Sequence, residues 1–344
     1  RLRQAVLKSP RLISIEERPV PQPGPGEVLL RVRAALTCGT DLKTYRRGHP
    51  RLPAGPFGHE CAGDVVAVGP DVEGVAPGDA VMLVPTAPCG SCRACRAGAE
   101  NHCERLFQDI VLGAYADYLL ISPRVAARHL LPKPPHLSYI EAAFLEPLAC
   151  VLHGWRRLGL SDPATVAVVG LGAIGLLQVL TGQALGHRMA AVGRRPARLK
   201  LAAELGAASI EIEQGDIPSQ VAEALGVRPD IVIESTGTRH IWEQAPEWVR
   251  PGGKVLLFGG LAGGSRVSFD AGLLHYGEVD LVSTFHYTPQ DVTEAYRWLS
   301  ERRVDVKPII SAVRPLDDIV GVFQELDRGG PVKVAIMPEA AEWC

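Results

Sequence analysis

Four cysteines fall within the sixteen residues PCGSCRACRAGAENHC, positions 88 to 103. Cys89, Cys92, Cys95 and Cys103 follow C-x2-C-x2-C-x7-C, and the interleaved Gly90, Gly98 and Asn101 supply the tight turns that let several thiolates face one point. Tetrahedral zinc is the natural occupant of such a donor set. Two disulfides are the competing reading, but only eight cysteines are spread over 344 residues, and the opening RLRQAVLKSP has no apolar run of the secretory kind. Iron–sulfur ferredoxin runs have a different spacing and a proline after the last cysteine. Four thiolates close a zinc shell and leave no position for water or substrate. The expectation is a structural zinc, with the chemistry elsewhere.

A second set of residues points to a nucleotide. Gly170-Leu171-Gly172-Ala173-Ile174-Gly175 is a G-x-G-x-x-G that follows a strand over Val166 to Val169 and opens a helix. Gly170 is expected to make the turn, Gly172 to admit a pyrophosphate to the backbone, and Gly175 to let the helix pack close to the strand; Ala173 and Ile174 carry the helix N-terminus, whose free N–H groups favour anions. Thr236 is expected to join this cofactor site. The cofactor's identity turns on MAAVGRRPARL, residues 189 to 199. NAD enzymes usually end this strand with an acid that accepts hydrogen bonds from the ribose. Gly193 takes that place, followed by Arg194 and Arg195, which suit a 2′-phosphate. NADP is therefore expected over NAD, with NAD possible.

Both sites need a scaffold. Up to about residue 135 the chain is rich in Pro and Gly, with short β-branched runs separated by the turns PQPGPGE, VGPD and APGD. That predicts a β-rich domain. From about residue 145 the pattern alternates: ATVAVVG, MAAVG, ASIEIE, DIVIES and GKVLLFG read as strands, and AIGLLQVLTGQALG, PARLKLAAELGA, SQVAEALG and IWEQAPEWV as the helices between them. Such βαβ units predict a parallel sheet covered on both faces. The tail, from about Thr284, carries a helix beginning near Thr288 or Pro289 and a last strand VKVAIM; it could extend the sheet or return to the β-rich part.

Composition narrows the function. The net charge is −2, the charges are mixed along the chain and aromatic residues make up 6%, so neither a basic surface nor a stacking platform for nucleic acid is indicated. No run approaches the ~20 apolar residues of a membrane span. A cytoplasmic protein with no nucleic-acid or membrane partner is the expectation.

Cys38-Gly39-Thr40-Asp41 and, about twenty residues on, Gly58-His59-Glu60 complete the set. A lone buried Cys is usually a small hydrophobe and a lone His a satisfied core or surface residue. With CGTD, GHE, the four-cysteine lobe, GLGAIG and PGGKVLLFG in this order, however, the sequence resembles the zinc-dependent medium-chain dehydrogenase/reductase family over nearly its whole length. The resemblance implies a Rossmann doubly wound parallel sheet domain (145–284) inserted into a β-rich GroES-like catalytic domain (1–144 with the zinc lobe, and 285–344). It also implies a second, catalytic zinc. Cys38 and His59 match two ligands and Glu60 the carboxylate beside them, which binds or exchanges onto the metal. Glu146, in Glu146-Pro147-Leu148-Ala149-Cys150, matches the third ligand of the polyol and threonine dehydrogenase branch; alternatively it is an acid stabilising a helix start. Cys150, Cys61 and Cys344 are expected to be core or surface thiols.

An open zinc lowers the pKa of a substrate hydroxyl, so the alcohol can lose its proton near neutral pH while hydride passes to nicotinamide. Thr40 matches the family's hydroxyl that accepts this proton. The chain departs from the family at Lys43 and Thr44, where a relay His and an aromatic often stand; His49 or water could finish the path. Phe285-His286-Tyr287 stands where polyol dehydrogenases often have Arg-Tyr, making His286 and Tyr287 expected substrate contacts. The leading expectation is an enzyme interconverting a secondary alcohol of the polyol, sugar or cyclitol type and its ketone. Alternatives are an L-threonine-type amino-alcohol dehydrogenase and, in another class, a non-catalytic nucleotide-binding sensor. The resemblance also suggests a homotetramer or homodimer.

Overall fold

The computed structural model describes residues 1–48 and 54–339. The chain divides into two compact units: residues 1–149, 287–302 and 306–344 form the first, and 150–286 with 303–305 the second.

The first unit is built on a mixed seven-stranded sheet. Its path runs Ile310–Pro315, Lys333–Met337, Val28–Leu36, Glu60–Val68, Ala80–Leu83 and Leu130–Pro132, and Tyr118–Ile121 pairs with Val28–Leu36. The tail therefore returns to the β-rich part, because Lys333–Met337 lies antiparallel to Val28–Leu36 (Ala335 opposite Leu36). A three-stranded sheet of Leu12–Arg18, Leu2–Ser9 and Gly55–Pro56 stands apart from that path. Apolar residues from both chain ends share one core: Leu30, Val32, Val81, Tyr115, Phe323, Val334 and Ile336 are all buried in it. Alternation along strands with one face on this core is what their sequence encodes.

The CGTD stretch, which the sequence alone would set at the end of the strand Val28–Leu36, instead opens the helix Gly39–Arg47. Cys38 caps it, its Sγ accepting from the Thr40 N–H at 3.4 Å, with Asp41 in the first turn and Arg46 and Arg47 in the last. These charges complement the helix dipole.

The second unit is a six-stranded, wholly parallel sheet. In the unit's own chain order the strands Thr165–Val169, Arg188–Gly193, Ala208–Glu211, Ile231–Glu234, Lys254–Leu257 and Asp280–Ser283 are arranged 3-2-1-4-5-6, the doubly wound order of dinucleotide-binding folds. The first and fourth strands are neighbours, and their C-terminal loops are where such folds bind ligands. No helix among the described residues is long and apolar enough to cross a membrane.

Candidate active site

Sheet pairing brings the first group together. Cys38 follows the strand Val28–Leu36, and Glu60 opens the strand Glu60–Val68, with Leu36 directly opposite Glu60. Donor atoms of Cys38, His59 and Glu60 consequently lie within 4.8 Å of one another. Asp41 Oδ1 stands 3.2 Å from His59 Nδ1, which leaves Nε2 as the ring nitrogen available to a metal. Burial works against a charged His59, yet Asp41 and Cys38 hold its pKa well above the ordinary histidine value. Burial, then the Glu60 charge, push the Cys38 thiol up.

Glu60 is 1% exposed and pairs with Lys333, whose Nζ is 2.5 Å from Oε2 and also donates to the Thr37 carbonyl at 2.8 Å. Neither Glu60 oxygen has a hydrogen-bond partner among the described residues, and only Oε2 has the Lys333 ammonium as its ion-pair partner. An orphaned carboxylate oxygen beside a thiol and an imidazole is what a zinc ion would satisfy. The residues fit the metal.

Glu146 is buried in the first turn of the helix Leu145–Leu158, and its charge is felt at Lys333. It does not belong to the 4.8 Å group. Thr40 is half-buried, two residues past Cys38, with its carbonyl taken by the Thr44 hydroxyl at 2.8 Å. Tyr287 is buried, its hydroxyl 2.9 Å from Thr86 Oγ1, and His286 has a left-handed backbone with φ of 60°. His49 and Cys344 lie outside the described residues. Cys150 is half-buried, and burial pushes the Cys61 thiol up to about 12, which makes it inert.

The four-cysteine group converges as its spacing predicts. The Sγ atoms of Cys92 and Cys95 are 3.4 Å apart and those of Cys89 and Cys95 4.0 Å, with Cys103 inside the same 4.8 Å set. Tetrahedral zinc–sulfur bonds imply sulfur–sulfur spacings of about 3.8 Å, whereas a disulfide would bring sulfurs to about 2 Å. The thiols are also unlike one another. The Ser91 N–H, its hydroxyl and the Cys92 N–H hold Cys89 down to about 5, while burial and the Cys92 side chain push Cys95 up to about 12.

In the second unit the glycines are packed as a phosphate loop requires. Gly170 has φ of 97°, and a Cβ there would lie 2.7 Å from Thr236 Cγ2; a Cβ at Gly175 would lie 1.8 Å from the Gly170 carbonyl oxygen. At Gly172 a Cβ would meet nothing within 4 Å, and Gly172 caps the twelve-residue helix Ala173–Ala184 without a side-chain hydrogen bond. That helix end offers its N–H groups to an anion. Thr236 is held by Glu234, which accepts from the Thr236 N–H at 2.7 Å and the Gly237 N–H at 2.9 Å. Arg195 caps the helix Pro196–Glu204. Burial and the charges of Arg195 and Arg194 lower the pKa of Arg198, so three guanidinium groups share this turn. Arg198 was missed in the sequence, although it stands one helical turn past Arg194 and Arg195.

Known proteins agree with both units. Residues 24–134 match the alcohol dehydrogenase GroES-like domain, and residues 173–301 match the zinc-binding dehydrogenase domain. Sorbitol dehydrogenase of Bacillus subtilis is 31% identical over 320 residues, covering 90% of this chain and 89% of the relative. The chain belongs to the zinc-dependent medium-chain dehydrogenase/reductase family. This dehydrogenase is also 30% identical to human sorbitol dehydrogenase over 343 residues, 96% of this chain and 94% of that one. Among solved structures, a protein described as a zinc-binding dehydrogenase from Sinorhizobium meliloti, bound to NADP, has a TM-score of 0.89 at 30% identity and is matched over 98% of this chain and 99% of its own. The dehydrogenase is thus an oxidoreductase that takes zinc, a nicotinamide dinucleotide and an alcohol substrate, with its GroES-like and Rossmann parts corresponding to the two units.

Proposed function

We propose that the dehydrogenase oxidises a secondary alcohol of a polyol, sugar or cyclitol to the ketone, and the reverse, with NADP as its preferred cofactor. The observation that carries this reading is the convergence of Cys38, His59 and the buried Glu60 carboxylate, whose oxygens lack hydrogen-bond partners among the described residues, in a chain 31% identical to a sorbitol dehydrogenase. Cys38, His59 and Glu60 would hold a catalytic zinc, with Glu146 as a further or exchangeable ligand; bound there, the metal supplies a Lewis acid for the substrate oxygen. Thr40 takes up the alcohol proton. His286 and Tyr287 are the candidate substrate contacts. Cys89, Cys92, Cys95 and Cys103 would hold a second zinc, closed to substrate, so the count is two per chain. Gly170, Gly172, Ala173, Ile174, Gly175 and Thr236 would seat the dinucleotide, and Gly193 with Arg194 and Arg195 would accept the 2′-phosphate. The assembly is a homotetramer or homodimer. Domain limits at 144/145 and 284/285 follow the family pattern.

The test is nicotinamide absorbance on adding polyols, sugars, cyclitols, simple secondary alcohols and L-threonine, each with NADP and NAD. Turnover confined to vicinal polyols supports the reading. Turnover of threonine alone, or only of simple alcohols, overturns it. Light scattering at micromolar concentration gives the assembly.

A further inference from the structure

We propose that Tyr115 is a positioning residue for the metal-binding histidine, acting through Asp41; this rests on the reading that Cys38, His59 and Glu60 hold zinc. Tyr115 is fully buried, and its hydroxyl lies 2.7 Å from Asp41 Oδ2 and 3.0 Å from the Leu36 carbonyl oxygen, so one proton is shared between two acceptors. The other Asp41 oxygen faces His59 Nδ1 at 3.2 Å. A chain therefore runs from the Tyr115 hydroxyl through both carboxylate oxygens to the imidazole. The hydroxyl stabilises the charged carboxylate, and the carboxylate fixes the tautomer and plane of the ring.

The same tyrosine also sets the backbone that carries His59. Gly58 has φ of 91°, and a Cβ there would lie 2.7 Å from the Tyr115 ring. The Gly113 and Ala114 N–H groups donate to the Gly58 carbonyl at 3.0 and 3.1 Å. The strap Gly113-Ala114-Tyr115 thus holds Gly58 from the backbone while its aromatic ring covers the bare face of the glycine. His59 is located twice, once through its main chain and once through its ring nitrogen.

Packing alone does not require a tyrosine. The ring stands 5.0 Å from Phe57 and 5.9 Å from Phe323, both edge-on, in an aromatic cluster that a phenylalanine would fill equally well. What phenylalanine lacks is the hydroxyl that reaches Asp41 in the dry interior. That single oxygen separates a space-filling role from a positioning role.

The experiment compares the wild type with Tyr115→Phe, which keeps the ring and so the fold. Zinc is removed and cobalt(II) titrated back in competition with a chelator, with visible absorption reporting ligand geometry; Cys38→Ser identifies which bands belong to this site, and the four-cysteine site serves as an internal reference. Tyr115→Phe is expected to weaken cobalt binding at the Cys38 site about 10-fold or more and to shift its d–d bands, as changes in the partners of metal ligands do, with the four-cysteine site unaffected. Unchanged affinity and unchanged bands, with or without a lower melting temperature, would overturn the role of Tyr115. If instead Cys38→Ser leaves both the cobalt spectrum and the cobalt affinity of the wild type unchanged, it is the metal-site reading itself that fails.

Discussion

Lys333 Nζ lies 2.5 Å from Glu60 Oε2, and neither side chain is more than 2% exposed. Burial works against a charge on either group: it pushes the Glu60 carboxyl up in spite of Lys333, while Glu60 and Cys38 hold the lysine's pKa above the usual value. The Phe144 ring, 5.6 Å from the ammonium, adds a weak cation–π contact. The ammonium stands against Oε2, and on the proposed reading Oε1 is the oxygen that would face the metal.

Lys333→Met should therefore destabilise the zinc-free protein by about 3 kcal/mol or more, because it abandons a buried carboxylate. Zinc should recover part of that loss by compensating the charge on Glu60. Urea denaturation of both forms gives the answer; equal losses with and without zinc would mean that Glu60 does not face the metal.

Lys333 also shows what the sequence conceals. A lysine in the apolar run VKVAIM is visible as an anomaly, but nothing in the run says that its partner stands beside His59. Asp41 and Tyr115 are 74 residues apart, and only the fold makes them neighbours. By contrast, the tight turn of the glycine loop and the convergence of the four cysteines were legible because they are local: the spacing of a few successive residues is itself the geometry. The alternation of the second unit was legible for a related reason, since buried parallel strands are apolar throughout and the helices between them are long. Cys38 and His59 fall between these cases, for their pairing came from a family resemblance and not from either residue.

The two metal sites should separate on mutation. Cys38→Ala or His59→Ala should abolish turnover and release one zinc while leaving circular dichroism unchanged. Cys92→Ser or Cys95→Ser should release the other zinc and lower the thermal midpoint, because a closed site contributes to folding directly. Elemental analysis of each variant checks the count; a wild type with one zinc would refute it.

Acid should loosen the second unit at Asp230. This carboxylate accepts from the Thr165 N–H and hydroxyl, both at 2.8 Å, and pairs with Arg250 at 2.7 Å, tying the start of one central strand to the turn before the next. Burial opposes its charge, but these partners hold its pKa below the ordinary value. Its stabilisation is complete above the unfolded-state pKa of about 4 and disappears as pH falls through the lower folded value. Asp230→Asn should cost ~1–2 kcal/mol at pH 7, a deficit that shrinks below pH ~4. A deficit independent of pH, read from urea midpoints, would assign the loss to packing instead.

The cofactor turn carries the last prediction, which the structure makes sharper than the missing acid alone. A Cβ at Gly193 would lie 2.8 Å from Leu171 Cδ1 and 3.0 Å from its Cγ, so glycine there has a steric reason as well as an electrostatic one. Gly193→Asp would change both at once. Gly193→Ala is the control that isolates the contact with Leu171, and it should lower kcat/KM for NADP and NAD alike. Gly193→Asp should in addition reverse the preference, since its charge repels a 2′-phosphate and suits a ribose hydroxyl. The wild type should favour NADP by ~10-fold or more, at least ~1.4 kcal/mol. Arg194→Ala with Arg195→Ala should erode that ratio, whereas Arg198 reaches the Leu171 carbonyl at 3.4 Å and braces the glycine loop itself. Arg198→Ala should therefore weaken both cofactors. If the wild type prefers NAD, and the double arginine variant leaves the ratio untouched, this turn does not read the phosphate and Gly193 is present for Leu171 alone.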